Sequence, residues 1–441
     1  MTAVDLKKSK NGCIVSKLHL LHGRLRIIFF SIAAVDRSGK FFVCIAATNM
    51  GIFMMNKILV TGVTGLVGSA FVVALLRERQ DYDIVCLVRS GGGKSAAERV
   101  DSIIRDECAF DGCPDAADAI LKKIQVVEGD VVGINPQELA KNPAIAGANI
   151  IFHCAADVNL GKDPTGKVFK INYGGTQNMV ELAKLLNVKE FHYVGTCYIA
   201  GKLCGTAYED NPVDNGFNNP YEESKFKAEQ LVRQSGIPFS VYRPAIITGR
   251  RSDGRIRKPL AFYRILEFLG KVKSHRCSKL GISPENWVNM EINFATNPSE
   301  HVYFVPIDYV QEAITALFQK PVTNSAYHIS GDSPVSVKQI EHTICKVLRL
   351  DGTTVGGESK GDGAGESLMS RFVGDLFPYF SSDIVFDQSN VRKVLGDAVL
   401  DWEFGEKGLE IMIKSFYEDY FPNVEWLRKV ISEEPDRMPI R

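Results

Sequence analysis

Along most of this chain, apolar residues come in short unbroken runs separated by amphipathic stretches. From Asn56 onward the runs lie at 58–61, 84–88, 124–127, 149–153, 190–195 and 239–243. A short continuous apolar run predicts a strand buried on both faces. Between them, 66–79, 95–109, 136–142, 167–187 and 221–235 carry helical spacing. This alternation predicts repeated βα units: an α/β fold, with a doubly wound parallel sheet that binds ligands at the C-terminal ends of its strands. The last of these helices has marked ends, with Asn219 capping, Pro220 at the first position and Gly236 closing it. Later, Val302 to Ile307 reads as a strand and 308–318 as a helix. Tyr327 to Ser330 and the helix-like 337–348 are expected on the substrate side, and 405–431 reads as a helix.

The first strand, Lys57-Ile58-Leu59-Val60, runs into Thr61-Gly62-Val63-Thr64-Gly65-Leu66-Val67-Gly68 and then a helical pattern. Three glycines permit a tight turn, close approach of backbone to a diphosphate, and close packing of helix on strand. The helix N-terminus adds free N–H groups and a partial positive charge. Gly62, Thr64, Gly65, Leu66, Val67 and Gly68 are therefore read as the dinucleotide-binding turn of a Rossmann-type domain. About 20 residues past such a turn, an NAD-selective site carries an acid. Here Arg89 and Ser90 end the second strand. A guanidinium can grip a 2′-phosphate, so NADP(H) is expected in preference to NAD(H); the plainer reading is a solvated strand-end arginine. Gly129-Asp130-Val131, after the third strand, either offers Asp130 to the adenine or is an ordinary turn. Gly91 to Ser95 looks like half a P-loop. Val88 stands where its first glycine is required, which excludes an ATP site.

Tyr221-Glu222-Glu223-Ser224-Lys225 places a phenol and an ammonium four residues apart, on one helical face. An adjacent ammonium is expected to draw the phenol's pKa, ordinarily near 10, toward working pH. Val194-Gly195-Thr196 ends the fifth strand and adds a hydroxyl to the same cleft. Asn172 either holds a water on the lysine side or is a helix-interior amide. His153 and His328 read as scaffold histidines.

As a set, Thr61 to Gly68, Asp130, Thr196, Tyr221 with Lys225, and Tyr242-Arg243-Pro244 resemble the extended short-chain dehydrogenase/reductase superfamily over about residues 56–430. Leu87 to Ser90, the insert at 91–123 and Arg243 to Gly249 are most similar to thioester reductases and fatty acyl-CoA reductases, the male-sterility-type NAD(P)-binding domains. The resemblance implies a triad of Thr196, Tyr221 and Lys225, supported by Asn172. It also places Asp130 with Val131, Ala155 with Ala156, and Pro244, Ile246 and Ile247 against the cofactor. The implied reaction is NADPH-dependent reduction of an acyl thioester, CoA- or carrier-bound, to an aldehyde or alcohol, with Tyr221 giving the proton. The alternatives are a sugar-nucleotide epimerase/dehydratase, a hydroxysteroid-type dehydrogenase, and a non-catalytic dinucleotide-sensing or docking protein. The pattern departs from the family in its N-terminal extension and in lacking a fused carrier or adenylation domain.

Composition refines this picture in two places. The chain has 45% hydrophobic and 24% charged residues, and Lys plus Arg equal Asp plus Glu at 52, so no global field favours nucleic acid or membrane. Yet residues 250–279 hold ten Lys/Arg against only Asp253 and Glu267. That lobe either attracts the phosphates of coenzyme A or an acidic carrier protein, or is a solvated helix face. Ten cysteines without a Cys-x-x-Cys pair fit a reduced, cytoplasmic chain with no structural metal. The expected organisation is a poorly ordered extension at 1–55, an NADP-binding domain at 56–249, and a smaller substrate-binding lobe at 250–441 with segments near 302–330 returning to the sheet. The apolar stretches of the extension fall short of the roughly 20 residues a membrane span needs. The extension reads as the product of an upstream start codon or as a short membrane-surface segment. Gly352 to Gly365 reads as a surface loop.

Overall fold

The computed structural model describes residues 5–8, 14–17, 31–35, 41–45, 56–290, 293–294, 296–297, 299–356, 371–400 and 402–420. The chain forms two compact units, Met1–Met55 and Asn56–Arg441. In the first, where the sequence suggested a loosely ordered extension, Asp5–Lys8, Ile14–Lys17, Ser31–Val35 and Phe41–Ile45 pair in that order as an antiparallel sheet.

The second unit is built on seven strands: β1 (Asn56–Thr61), β2 (Tyr82–Val88), β3 (Ile124–Glu128), β4 (Ile150–His153), β5 (Glu190–Val194), β6 (Phe239–Pro244) and β7 (Ser325–Ile329). Their order across the sheet is β3-β2-β1-β4-β5-β6-β7, with every pairing parallel. The chain therefore reverses its direction of travel between β1 and β4, and at such a switch point the strand ends leave a crevice. Sequence runs and observed strands agree because a strand covered on both faces has no polar side. Ile58 and Val60 enter one apolar cluster with Phe71 and Phe152, while Leu59 between them enters another with Val85 and Ile151. The Phe71 and Phe152 rings stack at 3.8 Å.

Helices α1 (Leu66–Glu78), α2 (Ala96–Phe110), α3 (Gly175–Leu186) and α4 (Pro220–Arg233) connect these strands. Asn219 caps α4 through its side chain, accepting from the Glu222 N–H at 3.0 Å, and Pro220 takes the first position. After Arg250 come α5 (Tyr263–Leu280), α6 (Ile307–Phe318), α7 (Val337–Leu348) and α8 (Gly405–Tyr420). The apolar faces of α5, α7 and α8 build a third cluster around Leu266, Leu269, Ile344 and Met412, while that of α6 joins the cluster of Ile58 and Val60. The return to the sheet expected near 302–330 is made by α6 and β7. The continuation of α8 to 431, and 357–365 of the expected loop, lie outside the described residues.

Six of the ten cations of the basic run pair with acids, four of them with acids distant in sequence. Arg250 pairs with Asp253, Arg251 with Asp308 and Glu312, Arg255 with Asp419, Arg257 with Glu107, Arg264 with Asp375, and Lys271 with Glu267. Lys273 is buried and donates to the Leu348 carbonyl. Seven of the ten cations are thus held by contacts within the protein. They fasten the lobe. No helix among the described residues is long and apolar enough to cross a membrane.

Candidate active site

The glycine turn sits at the C-terminal end of β1. Gly62 has φ +79°, and a Cβ there would lie 2.5 Å from the Ala155 nitrogen. A Cβ on Gly68 would come within 2.2 Å of the Gly62 carbonyl oxygen. Both positions require glycine, because α1 is pressed against the turn and the turn against the start of the β4–α3 connection. Arg257 braces this corner from the far lobe. Its guanidinium donates to Ser69 Oγ at 2.7 Å, to Glu107 at 3.0 Å and to the Gly65 carbonyl at 3.4 Å. An open helix N-terminus behind a glycine-built turn suits a dinucleotide's diphosphate.

Beside the turn opens a cavity of about 540 Å³. Its walls bring together Gly65, Leu66, Val67, Ala156, Thr196, Tyr221, Lys225, Pro244, Ile246 and Ile247, ten residues expected at the site. Thr64 is half-buried in the turn, and the Ala155 N–H donates to Thr61 Oγ1 at 3.3 Å. Val131 packs into the core beneath β1. Arg89 and Ser90 are exposed at the end of β2, where Arg89 meets Asp130 at 3.3 Å. Such an exposed pair adds little stability and is easily exchanged for a phosphate.

Tyr221 is the second residue of α4, half-buried with its ring on the cavity. Its hydroxyl is hydrogen-bonded to Thr196. Thr196 in turn donates to the Pro244 carbonyl at 3.4 Å and accepts from the Tyr198 N–H at 3.3 Å. Burial pushes the phenol above its ordinary value, and the Thr196 hydrogen bond draws it back only in part. This corrects the sequence expectation of an acidified phenol. Lys225 is turned instead to the Val194 carbonyl at 2.7 Å, with its ammonium 4.4 Å above the Tyr193 ring. Burial lowers Lys225 to about 8, while Cys154 and Glu229 pull it upward. Burial thus favours the neutral phenol, which holds a proton to give.

Asn172 has a different role from the water-holding one. It is buried, with Oδ1 accepting from the Asp157 N–H at 2.8 Å and Nδ2 donating to the Asp157 carbonyl at 3.0 Å and to Ser224 Oγ at 2.9 Å. Ser224 donates onward to the Tyr221 carbonyl at 2.8 Å. The amide therefore ties the β4–α3 connection to the turn of α4 that carries Tyr221, and it does so from a π-helical segment, Lys170–Gly174. His153 bridges Thr61 at 2.6 Å and Thr176 at 3.0 Å, and burial lowers it to about 3. His328 takes a hydrogen bond from Arg243 at 3.0 Å and is lowered to about 3 by burial and that guanidinium. Both are neutral scaffold.

Among the wall residues that escaped the sequence reading are Cys154, Phe262, Tyr379 and Phe380. Cys154 directly follows β4, a strand-end position that could have marked it. The others sit in aperiodic stretches without such a signal.

A family model described as male sterility protein, an NAD-binding domain, matches residues 60–314. The chain belongs to the male sterility protein family. Among curated relatives, it is 27% identical to the nonribosomal peptide synthetase FrzA of a Cladobotryum species over 289 residues, 62% of this chain and 26% of that protein. It is 26% identical to the carboxylic acid reductase of Segniliparus rugosus over 286 residues, 60% of this chain and 23% of that one. The chain thus spans about a quarter of the length of these relatives. Among solved structures, the terminal R domain of the myxalamid PKS-NRPS biosynthetic pathway superposes with a TM-score of 0.64 at 23% identity, covering 83% of this chain and 92% of that one. These matches bear out the expected Rossmann-type fold and the resemblance to the male-sterility-type NAD(P)-binding domains of thioester and fatty acyl-CoA reductases.

Proposed function

We propose that this chain uses NADPH to reduce an acyl thioester, with Tyr221 as proton donor and the acyl group carried on a pantetheine arm of coenzyme A or a carrier protein. The observation that carries the reading is one cavity in which the Thr196–Tyr221 pair and Lys225 meet the glycine turn on one side and an apolar wall on the other. The turn, Pro244, Ile246 and Ile247 would hold the dinucleotide, which supplies hydride to the thioester carbonyl carbon. The Thr196 and Tyr221 hydroxyls face the carbonyl oxygen as negative charge develops on it. Tyr221 gives that oxygen its proton, forming a hemithioacetal. Breaking the C–S bond then yields an aldehyde and a free thiol. Lys225 is a fixed cation beside the exchange, and Asn172 a positioning residue. Lys258, exposed on the cavity wall and without an acidic partner among the described residues, is placed to meet a phosphate of the arm. A cytoplasmic location belongs to the same proposal and rests on the cysteine usage.

Loss of NADPH absorbance is the test, with acyl-pantetheine thioesters, sugar nucleotides and hydroxysteroids offered in parallel. Turnover with thioesters alone is expected. Turnover confined to either other class would move the chain to the epimerase/dehydratase or dehydrogenase reading.

Two further outcomes are expected. Arg89→Ala should weaken NADPH binding about tenfold or more, the worth of a charge-assisted contact to phosphate, and leave NADH within about twofold. Fluorescence titration of both dinucleotides reads this, and equal losses for both would refute the 2′-phosphate role. The pH profile of kcat/KM should fall above about 8 as the Lys225 ammonium loses its proton. Its sign in stability is opposite. Between about 8 and the ordinary 10.5 the unfolded chain binds the extra proton, so the folded state gains stability as pH rises. A rate that stays flat well past 8 would contradict the assignment.

A further inference from the structure

Behind the far wall of the active-site cavity lies a second cavity of about 40 Å³. Phe262 and Phe380 line both, so the two rings are the partition between them. They are buried, with ring centroids 6.0 Å apart, and Phe262 is held from behind by Phe304 at 4.9 Å. On the far side the lining is apolar, with Ile265 of α5 and Val337, Ile340 and Ile344 of α7; Thr296 and Glu341 are its polar members. On the near side the wall that faces Tyr221 is also largely apolar, through Leu160, Leu260, Leu376 and Tyr379. An apolar path thus runs from the reacting hydroxyls to the two rings and resumes beyond them.

We infer that Phe262 and Phe380 set the length of the acyl chain this protein accepts, and that the cavity behind them is a blocked extension of an acyl-tail subsite. The inference rests on the thioester reading proposed above. A linear saturated chain is the occupant that fits: it presents no hydrogen-bonding groups to walls that offer few, and each methylene that leaves water adds about fourfold to binding. The cut-off lies where the tail meets the rings.

The test uses S-acyl pantetheine thioesters from butanoyl to hexadecanoyl, and the matching S-alkyl thioethers, which cannot be reduced. Wild type should show a sharp fall in kcat/KM beyond one chain length. Phe380→Ala should move that fall to longer chains and raise the long-to-short ratio of kcat/KM roughly tenfold. Phe380→Leu should do the same to a smaller degree, and decides the matter if the alanine variant does not fold. Adding Ile344→Phe to Phe380→Ala refills the space and should restore the wild-type cut-off. Calorimetry with the thioethers, without any dinucleotide, should show the same shift in tail preference. Folded Phe380 variants with an unchanged chain-length profile in both assays would overturn the inference. A wild type that reduces no thioester, yet whose tail preference in calorimetry moves with Phe380, would defeat the proposed reaction and leave the subsite standing.

Discussion

Replacing Tyr221 with phenylalanine is expected to lower kcat on the order of a thousandfold while changing the NADPH dissociation constant by no more than about twofold. Only the hydroxyl is removed, and with it go the proton and the hydrogen bond that it gives to the developing oxyanion. Thr196 keeps its contact with the Pro244 carbonyl, so the surrounding backbone has no reason to move. Because burial holds the phenol neutral, the loss should be nearly constant across pH and should not mirror the limb assigned to Lys225. Steady-state kinetics with a pantetheine thioester reads it. A loss under tenfold would pass the donor role to another group on the cavity, such as the Cys154 thiol, which burial raises to about 11 and which therefore also keeps its proton.

Glu229→Leu is expected to destabilise the protein by about 3–5 kcal/mol, the cost of leaving a buried charge without its partner. Glu229 lies one turn beyond Lys225 on α4, fully buried. It accepts from Arg243 Nε at 3.0 Å and from Arg233 Nε at 2.8 Å, and its other contact with Arg243 is 2.5 Å. Arg243 belongs to β6, next to Pro244 of the cavity wall, so the pair locks the helix of Tyr221 to the strand that ends at that wall. Burial alone would raise the Glu229 carboxyl, but the two guanidinium groups outweigh it and hold it below the ordinary value. The sign follows: this stability is present above pH 4.5 and is lost as pH falls through the lower folded value. Urea unfolding near neutral pH should show the full deficit, and the difference between variant and wild type should shrink in acid. A deficit below about 1 kcal/mol would mean that Arg243 finds enough elsewhere, from His328 and the Tyr208 carbonyl.

Much of this fold was legible because buried parallel strands leave a simple trace. Ile84 to Val88 is apolar throughout since both faces are covered, and the glycines at 62 and 68 mark places where no side chain fits. The Tyr221–Lys225 spacing was equally plain, being a property of one helix. What the spacing could not give was where the ammonium points, since the Val194 carbonyl that takes it lies 31 residues away. The two readings of the basic run could not be told apart for the same reason. Its neutralising acids, Glu107, Asp308, Asp375 and Asp419, are scattered from α2 to α8, and only folding brings them to Arg257, Arg251, Arg264 and Arg255. Arg89 and Asp130 were each assigned a separate contact with the cofactor, yet they face one another across β2 and β3. Phe262, Tyr379 and Phe380 had no trace at all, because a wall made by irregular segments carries no period.

Label transfer tests the central claim most directly. NADPH carrying deuterium at the transferable C4 position is incubated with the protein and an acyl-pantetheine thioester, and the product is read by mass spectrometry. The account predicts an aldehyde with deuterium on its carbonyl carbon, or an alcohol with two, released with one equivalent of free thiol and lost in Tyr221→Phe. Thiol release without label, or label that never reaches the acyl carbon, would contradict it.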